Sequence, residues 1–325
     1  MKLARRTFVY LARGAAVLPL VPRNASGQIY PTRPVRLICA FPAGGPNDTL
    51  ARLIGQWLSE RLGRPFVVEN RPGAATNIAT EAVVRAPPDG YTLLLVAQVN
   101  AINVTLYERL NFNFIRDIAA VAGIMRVPSI LEVNPSVPVH TVPEFIAYAK
   151  ANPGRLNMAS AGNGTSSHLS GELFKIMTGV DILHVPYRGA AAALTDLIAA
   201  RVQVYFDLMP NSIAHVRSGK VRPLAITTTT RSGALPDLPS VGDFVPGYEV
   251  NTWFGVGAPR GTPADIVDKL NEEINAALAD PQMKARLAEL GGTVLAGTPA
   301  DFEKLIGDET EKWARVIRAA NIKPD

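Results

Sequence analysis

Apolar residues run from Val35 to Phe41 over the length of one strand and stop at a turn reading FPAGGPND. From Leu50 through Leu53, Ile54, Trp57 and Leu58 to Leu62 they return at every third or fourth position, the spacing of one helix face, with Asn47 or Asp48 as N-cap and Gly63 as the stop. Phe66 to Glu69 predicts a second strand, Asn77 to Arg85 a second helix closed by Pro87-Pro88-Asp89-Gly90, and Tyr91 to Ala97 a third strand. Strand and helix alternate as a parallel sheet with helical crossovers requires.

The pattern restarts further on. Thr141-Val142-Pro143-Glu144 is a capping box that opens a helix ending at Asn152-Pro153-Gly154. A strand over Leu156 to Ser160 leads into AGNGTSSH and a periodic run through Leu169, Leu173, Phe174 and Ile176. Ile182 to Pro186, the alanine-rich helix Ala190 to Ala200, Val202 to Asp207 and Val221 to Thr227 complete a second α/β unit. Past Trp253 and Phe254, Thr262-Pro263-Ala264-Asp265 and Thr298-Pro299-Ala300-Asp301 open helices that have no sheet of their own. The economical layout is a chain that leaves the first domain, builds the second, and returns to pack its tail on the first, with crossings near Pro128 and Pro246.

Charge alters the functional range. The formal net charge of +5 suggests a polyanion partner, but residues 1–27 hold five of the 33 Lys and Arg and none of the 28 acids. The remainder is balanced at 28 of each, so nucleic acid loses its support. Those 27 residues read as an export signal: a basic start, a short apolar stretch from Gly14 to Val21, and the small residues Ala25-Ser26-Gly27. Arg5-Arg6 followed by Thr7 and Phe8 resembles the twin-arginine form, favoured here over the general secretory route. The uncharged run falls far short of the roughly 20 residues that span a bilayer, so the mature chain is expected outside the membrane. The single cysteine, Cys39, lies in an apparent strand and is expected to be buried and inert. His140, His168, His184 and His215 are far apart in sequence and without ligand spacing, so neither a metal nor another cofactor is expected.

FPAGGPND and AGNGTSSH both fall at carboxyl ends of strands and at helix N-termini, where backbone N–H groups suit an anion. Gly44, Gly45, Gly162 and Gly164 allow close approach, and Asn47, Asn163, Thr165, Ser166 and Ser167 add neutral donors. Neither turn has the GxGxxG spacing of a dinucleotide site or the GK[ST] of a P-loop. A secreted hydrolase using Ser167, His168 and Asp207 is the competing reading, although GTSSH is not a GxSxG elbow and adjacent helix residues do not face each other. A ligand sensor for a membrane signalling protein is a third.

FPAGGPNDTLAR, ENRPGA, PDGYTLL, NGTSSHLSGELF, HVPYRGAAAALTDL and the terminal KW and IKPD, spread over Tyr30 to Asp325, resemble the tripartite tricarboxylate transporter substrate-binding receptors, the Bug proteins. The resemblance implies a periplasmic binding protein fold of type II: α/β, two lobes, each a mainly parallel sheet flanked by helices, with the ligand cleft between them. It implies lobes of residues 28–128 with 246–325 and of 129–245, and delivery of a small organic acid to a membrane permease of one large and one small subunit. Carried over residue by residue, the carboxylate site is Phe41, Pro42, Ala43, Gly44, Gly45 and Asp48 in one lobe and Ala161, Gly162, Gly164, Thr165 and Ser166 in the other. Tyr187 and Asp207 are further rim candidates, and Arg188 is a weaker one. The family commonly has GAGG after Asn-Arg-Pro, where this chain has Gly73-Ala74-Ala75-Thr76.

Overall fold

A computed structural model describes residues 30–324; the expected export signal lies outside them. In the first hundred residues the elements are β1 (Val35–Cys39), α1 (Pro46–Leu62), β2 (Phe66–Asn70), α2 (Asn77–Val84), β3 (Thr92–Ala97) and α3 (Gln98–Leu106). β3 is buried along its whole length, which explains an apolar run without alternation. On α1, Leu50, Ile54 and Leu58 are fully buried on one face, and Gly63 at φ +67° takes the left-handed position that ends the helix. Its N-cap is Gly45, with Pro46 just inside and no side-chain cap, so neither Asn47 nor Asp48 has the capping role expected of them.

After the short α4 (Phe114–Asp117), β4 (Ile118–Val133) runs for 16 residues. Then come α5 (Val142–Ala151), β5 (Asn157–Ser160), α6 (Ser166–Thr178), β6 (Leu183–Pro186), α7 (Ala190–Ile198), β7 (Val204–Leu208), α8 (Met209–Arg217) and β8 (Arg222–Ile226). The chain closes with β9 (Asn251–Pro259), α9 (Ala264–Ala279), α10 (Pro281–Glu289), β10 (Thr293–Val294) and α11 (Pro299–Ala319).

The main strand order is β2-β1-β3-β9-β4-β7-β5-β6. β2, β1 and β3 are parallel, as are β7, β5 and β6, while β9 and β4 cross the middle antiparallel, so the sheet is mixed. β4 is shared. From Ile118 to Pro128 it pairs with β9, from Ser129 to Val133 with β7 on one edge, and from Ile130 to Val133 with β8 on the other. Pro128 occupies the last β9 pairing, opposite Asn251, where the loss of a ladder donor falls at the switch between partners.

Two sets of cores follow. Leu37, Leu93, Ile54 and Ile274 pack on one face of the β1–β3 region, and Ile38, Leu94, Trp253 and Phe302 on the other. Leu131, Phe145, Phe174, Phe206 and Tyr248 form the core around β7 and β5. α11 belongs to both sets: Phe302 and Ile306 pack with Trp253, while Trp313, Val316 and Ile317 pack with Phe145 and Phe174. Trp253 belongs to the core, fully buried and edge-on to Phe302. Among the described residues no helix is long and apolar enough to cross a membrane.

Candidate functional site

The turn after β1 is held from inside. The Asp48 carboxylate, 3% exposed, accepts from the Gly44 N–H at 2.9 Å, Arg52 Nε at 2.9 Å and Asn70 Nδ2 at 2.9 Å. The Arg52 guanidinium, with the Gly44 and Asn70 donors, lowers its pKa to about 2. Asn70 Nδ2 also reaches the Phe41 carbonyl at 3.0 Å, because β2 pairs in register with β1 and sets Asn70 opposite Cys39. Gly44 needs its φ of +82° to present that N–H, which is the one position in this turn where glycine is demanded. Pro42, Ala43 and Gly44 are exposed, and Phe41 and Gly45 are half-buried. With Gly45 as an uncapped start, the first-turn amides of Asn47 and Asp48 have no intrahelical acceptor.

The turn after β5 is also self-supporting. Ala161 N–H donates to Ser167 Oγ at 3.0 Å, Gly162 N–H to Ser160 Oγ at 3.2 Å and Gly164 N–H to His168 Nδ1 at 3.1 Å. Thr165 caps α6, accepting from His168 N–H, and its hydroxyl donates to the Gly162 carbonyl at 2.7 Å. By helix geometry the amides of Ser166 and Ser167 are then the first-turn donors without an intrahelical acceptor. Gly164 packs so closely on Leu106 at the end of α3 that a Cβ would overlap its Cδ2. Asn103, one turn earlier on α3, donates to the Ala75 carbonyl at 2.6 Å. Through α3 the turn after β5 is thereby linked to the loop after β2.

That loop is strained: Ala74, Ala75 and Thr76 have φ of +45°, +48° and +77° in succession. Besides Asn103, Asn100 Nδ2 holds it at Thr76 Oγ1 (3.1 Å).

The remaining candidates separate. Tyr187 flanks the second turn with its backbone, its N–H donating to the Ser160 carbonyl at 3.0 Å, but its hydroxyl turns away to Asp196 at 2.8 Å. Burial and Asp196 push that phenol up to about 12. Arg188 is exposed. Asp207 is 1% exposed, a buried position at the end of β7. Its carboxylate accepts from Leu208 N–H, Asn211 Nδ2 and Ser212 Oγ, and burial raises it to about 6. Ser212 Oγ is also 2.8 Å from Glu132 Oε1. One hydroxyl has one proton, so two carboxyls at 2.8 Å from it share a second proton between them; burial, reinforced by Asp207, raises Glu132 well above the usual range.

Ser167, His168 and Asp207 do not form a catalytic line. Ser167 Oγ is engaged by Ala161 N–H and Thr165 Oγ1. The His168 ring is stacked at 3.7 Å on His184, a partner that nothing in the sequence spacing signalled, and its Nδ1 faces Gly164. Burial, then His184, lowers His168 to about 3, so it is neutral. The serine–imidazole contact that does exist, Ser160 Oγ to His184 Nε2 at 2.6 Å, uses a fully buried serine. Among the described residues no group of three or more His, Cys, Asp and Glu is placed to hold a metal ion.

Comparison with known proteins identifies the family and the fold. Residues 50–322 match the family model of the tripartite tricarboxylate transporter family receptor. BugT of Bordetella pertussis is 34% identical over 318 residues, covering 97% of this chain and 96% of that one. The solved structure of Rpa4515 of R. palustris with adipate has 41% identity and a TM-score of 0.83, covering 91% of this chain and all of the other (100%). MatC of Rhodopseudomonas palustris with bound malate has 33% identity and a TM-score of 0.77, covering 89% and 100%. The fold is therefore the two-lobed one of periplasmic binding proteins, and the chain belongs to the TctC family of solute receptors, the Bug proteins.

Proposed function

We propose that this receptor takes a small organic acid between its lobes and passes it, in the periplasm, to the large and small permease subunits of a tripartite transporter, without catalysing a reaction. The observation that carries the reading is how both turns spend their side chains. Asp48, Asn70, Thr165, Ser167 and His168 hold the turns in shape, leaving the opening amides of α1 and α6 as donors for one carboxylate. Phe41, Pro42, Ala43, Gly44 and Gly45 form the wall on one side, and Ala161, Gly162, Gly164, Thr165 and Ser166 on the other. Asp48 acts here as the brace of its turn: an anionic ligand gains nothing from contact with a second carboxylate. Tyr187 borders the site with its backbone, and Asp207 supports it from behind.

The lobes in this reading comprise residues 28–128 with the chain's return, and the segment between. The packing of Tyr248 and Val250 with Phe145 and Phe174 supports a return crossing a few positions after Pro246, at Val250 to Thr252. Adipate and malate in the solved relatives support a carboxylate as the ligand class.

The test is a titration with mono-, di- and tricarboxylates and their neutral amides, repeated on Ser166→Pro. Proline is favoured at the first position of a helix, and the extended Thr165 before it, at φ −72° and ψ 162°, accommodates it, so the substitution deletes one amide while α6 persists. An acid that binds while its amide does not, with affinity falling about tenfold in Ser166→Pro, or roughly 1.4 kcal/mol, is the expected result. Binding of acid and amide alike, or an unchanged affinity in the variant, overturns the reading.

A further inference from the structure

Between the lobes lies a second crevice, of about 950 Å³, that shares no lining residue with the two turns. Arg126 and Pro128 of β4 and Asn251 of β9 line it at the strand crossing. One side is α8 with the loop after β8, contributing Ile213, Arg217, Thr229 and Arg231; the other is α10 with the glycine pair before β10, contributing Glu289 and Gly292.

Its charges are unbalanced in a specific way. Three guanidinium groups, of Arg126, Arg217 and Arg231, face two carboxylates, and both carboxylates have other donors. Glu249 accepts from Asn251 Nδ2 at 2.9 Å, and Glu289 pairs with Arg286 at 2.9 Å. Among the described residues none of the three arginines forms an ion pair. Arg126 is the informative one: it is half-buried, and its Nε is a fully buried donor with no acceptor. A desolvated guanidinium nitrogen without a partner is costly.

We infer that this crevice is a second binding site, for a small polyanion bearing at least two oxyanion groups, carboxylate or phosphate. One oxyanion meets Arg126, and the other meets Arg217 and Arg231, with the hydroxyls of Thr229 and Thr230 beside them. The occupant bridges α8 and the loop after β8 to the strand crossing, so it fixes the separation of the lobes from the flank opposite the glycine turns. The site is thus regulatory in position: it sets how readily the receptor closes on its solute.

Calorimetric titration of the full chain with citrate and with inorganic pyrophosphate, at matched ionic strength, tests this. A binding step for one or both probes is the same in the natural protein and in Ser166→Pro, which separates the crevice from the carboxylate cleft, where any further citrate step weakens. The same binding weakens at least tenfold in Arg126→Met and in the double variant Arg217→Ala, Arg231→Ala. The rim pair is exposed, so the double variant retains its fold even if Arg126→Met does not. Preference for citrate over pyrophosphate, or the reverse, assigns the oxyanion class. Failure of both probes to bind, or the absence of any binding step that the double variant weakens and Ser166→Pro leaves unchanged, overturns the inference.

Discussion

Asp48 and His168 show how single side chains prepare a site they do not themselves supply. Asp48 replaces three water contacts with three fixed donors, so Asp48→Asn is expected to cost about 1–3 kcal/mol and to weaken solute binding by loosening the turn, as read from urea unfolding and titration. Its folded pKa of about 2 lies below the ordinary 3.8, so its contribution is complete above 3.8 and is lost as pH falls toward 2. His168 acts in the same direction over another window. It is held neutral down to about 3 while the unfolded chain takes up a proton near 6.5, so stability declines as pH falls below 6.5. His168→Asn, which retains an acceptor for Gly164 N–H, is expected to flatten the unfolding midpoint between pH 7.5 and pH 5; an unchanged slope refutes the assignment. Asp207 has the opposite sign: raised to about 6, it stabilises fully below 3.8 and loses that contribution as pH rises through 6. The glycine turns were legible in the sequence because strand, glycine and helix follow one another locally. The bracing was not, since Asn70, His184 and Leu106 reach the turns from other elements; Asn70 and His184 lie within motifs that carry the resemblance, ENRPGA and HVPYRG, but nothing in those motifs says which turn each residue braces.

Among the elements, the parallel strands and α1, α2, α5, α6, α7, α9 and α11 were readable from period and breakers, while β4, β9, α3, α4, α8 and α10 were not. β4 and β9 are buried on nearly every residue, so their sequences, IAAVAGIMRVPSILEV and NTWFGVGAP, have no alternation to reveal a strand, and Pro128 and the glycines suggest breaks. α3 was hidden by its polar residues: Gln98, Asn100 and Asn103 are buried, bonding to neighbouring elements instead of facing water. The loop between β2 and α2 shows what the Gly73-Ala74-Ala75-Thr76 variation costs. Each non-glycine residue in the left-handed region is worth roughly 1–2 kcal/mol of strain, partly offset by the stiffer unfolded chain. Ala75 is exposed and only its carbonyl is used, so Ala75→Gly is expected to stabilise the protein by about 0.5–1 kcal/mol, seen as a rise of roughly 1–4 °C in Tm. A lower Tm excludes strain at this loop.

For the molecule as a whole, α11 and β4 are the parts common to both lobes. α11 places Phe302 in one core and the fully buried Trp313 in another, with Trp313 Nε1 donating to Glu309 at 2.8 Å. Glu309 in turn accepts from Gln98, which also bonds the Asn251 carbonyl at the strand crossing. Trp313→Ala is expected to cost about 3–5 kcal/mol and to unfold the protein in a single broadened calorimetric transition beginning with the lobe around β5 and β7. Two wholly separate transitions with the first-lobe midpoint unchanged count against this shared role. The layout of a chain that departs and returns was visible from the order of motifs, but not that the return inserts a strand at the centre.

That insertion has a consequence for synthesis. β9 separates β3 from β4, yet it arrives long after both; Gln98 waits for Asn251, 153 positions downstream. The segment from Ser129 to Ile226 supplies β7, β8, β5 and β6 without interruption, so a nascent chain has these strands and their β4 partner in hand while β3 still has an open seam, and Tyr248 and Trp313 join their core only later. Closing that seam needs contacts of large sequence separation, so it is expected to come late, and until β9 arrives β3 has an open edge able to pair with other chains.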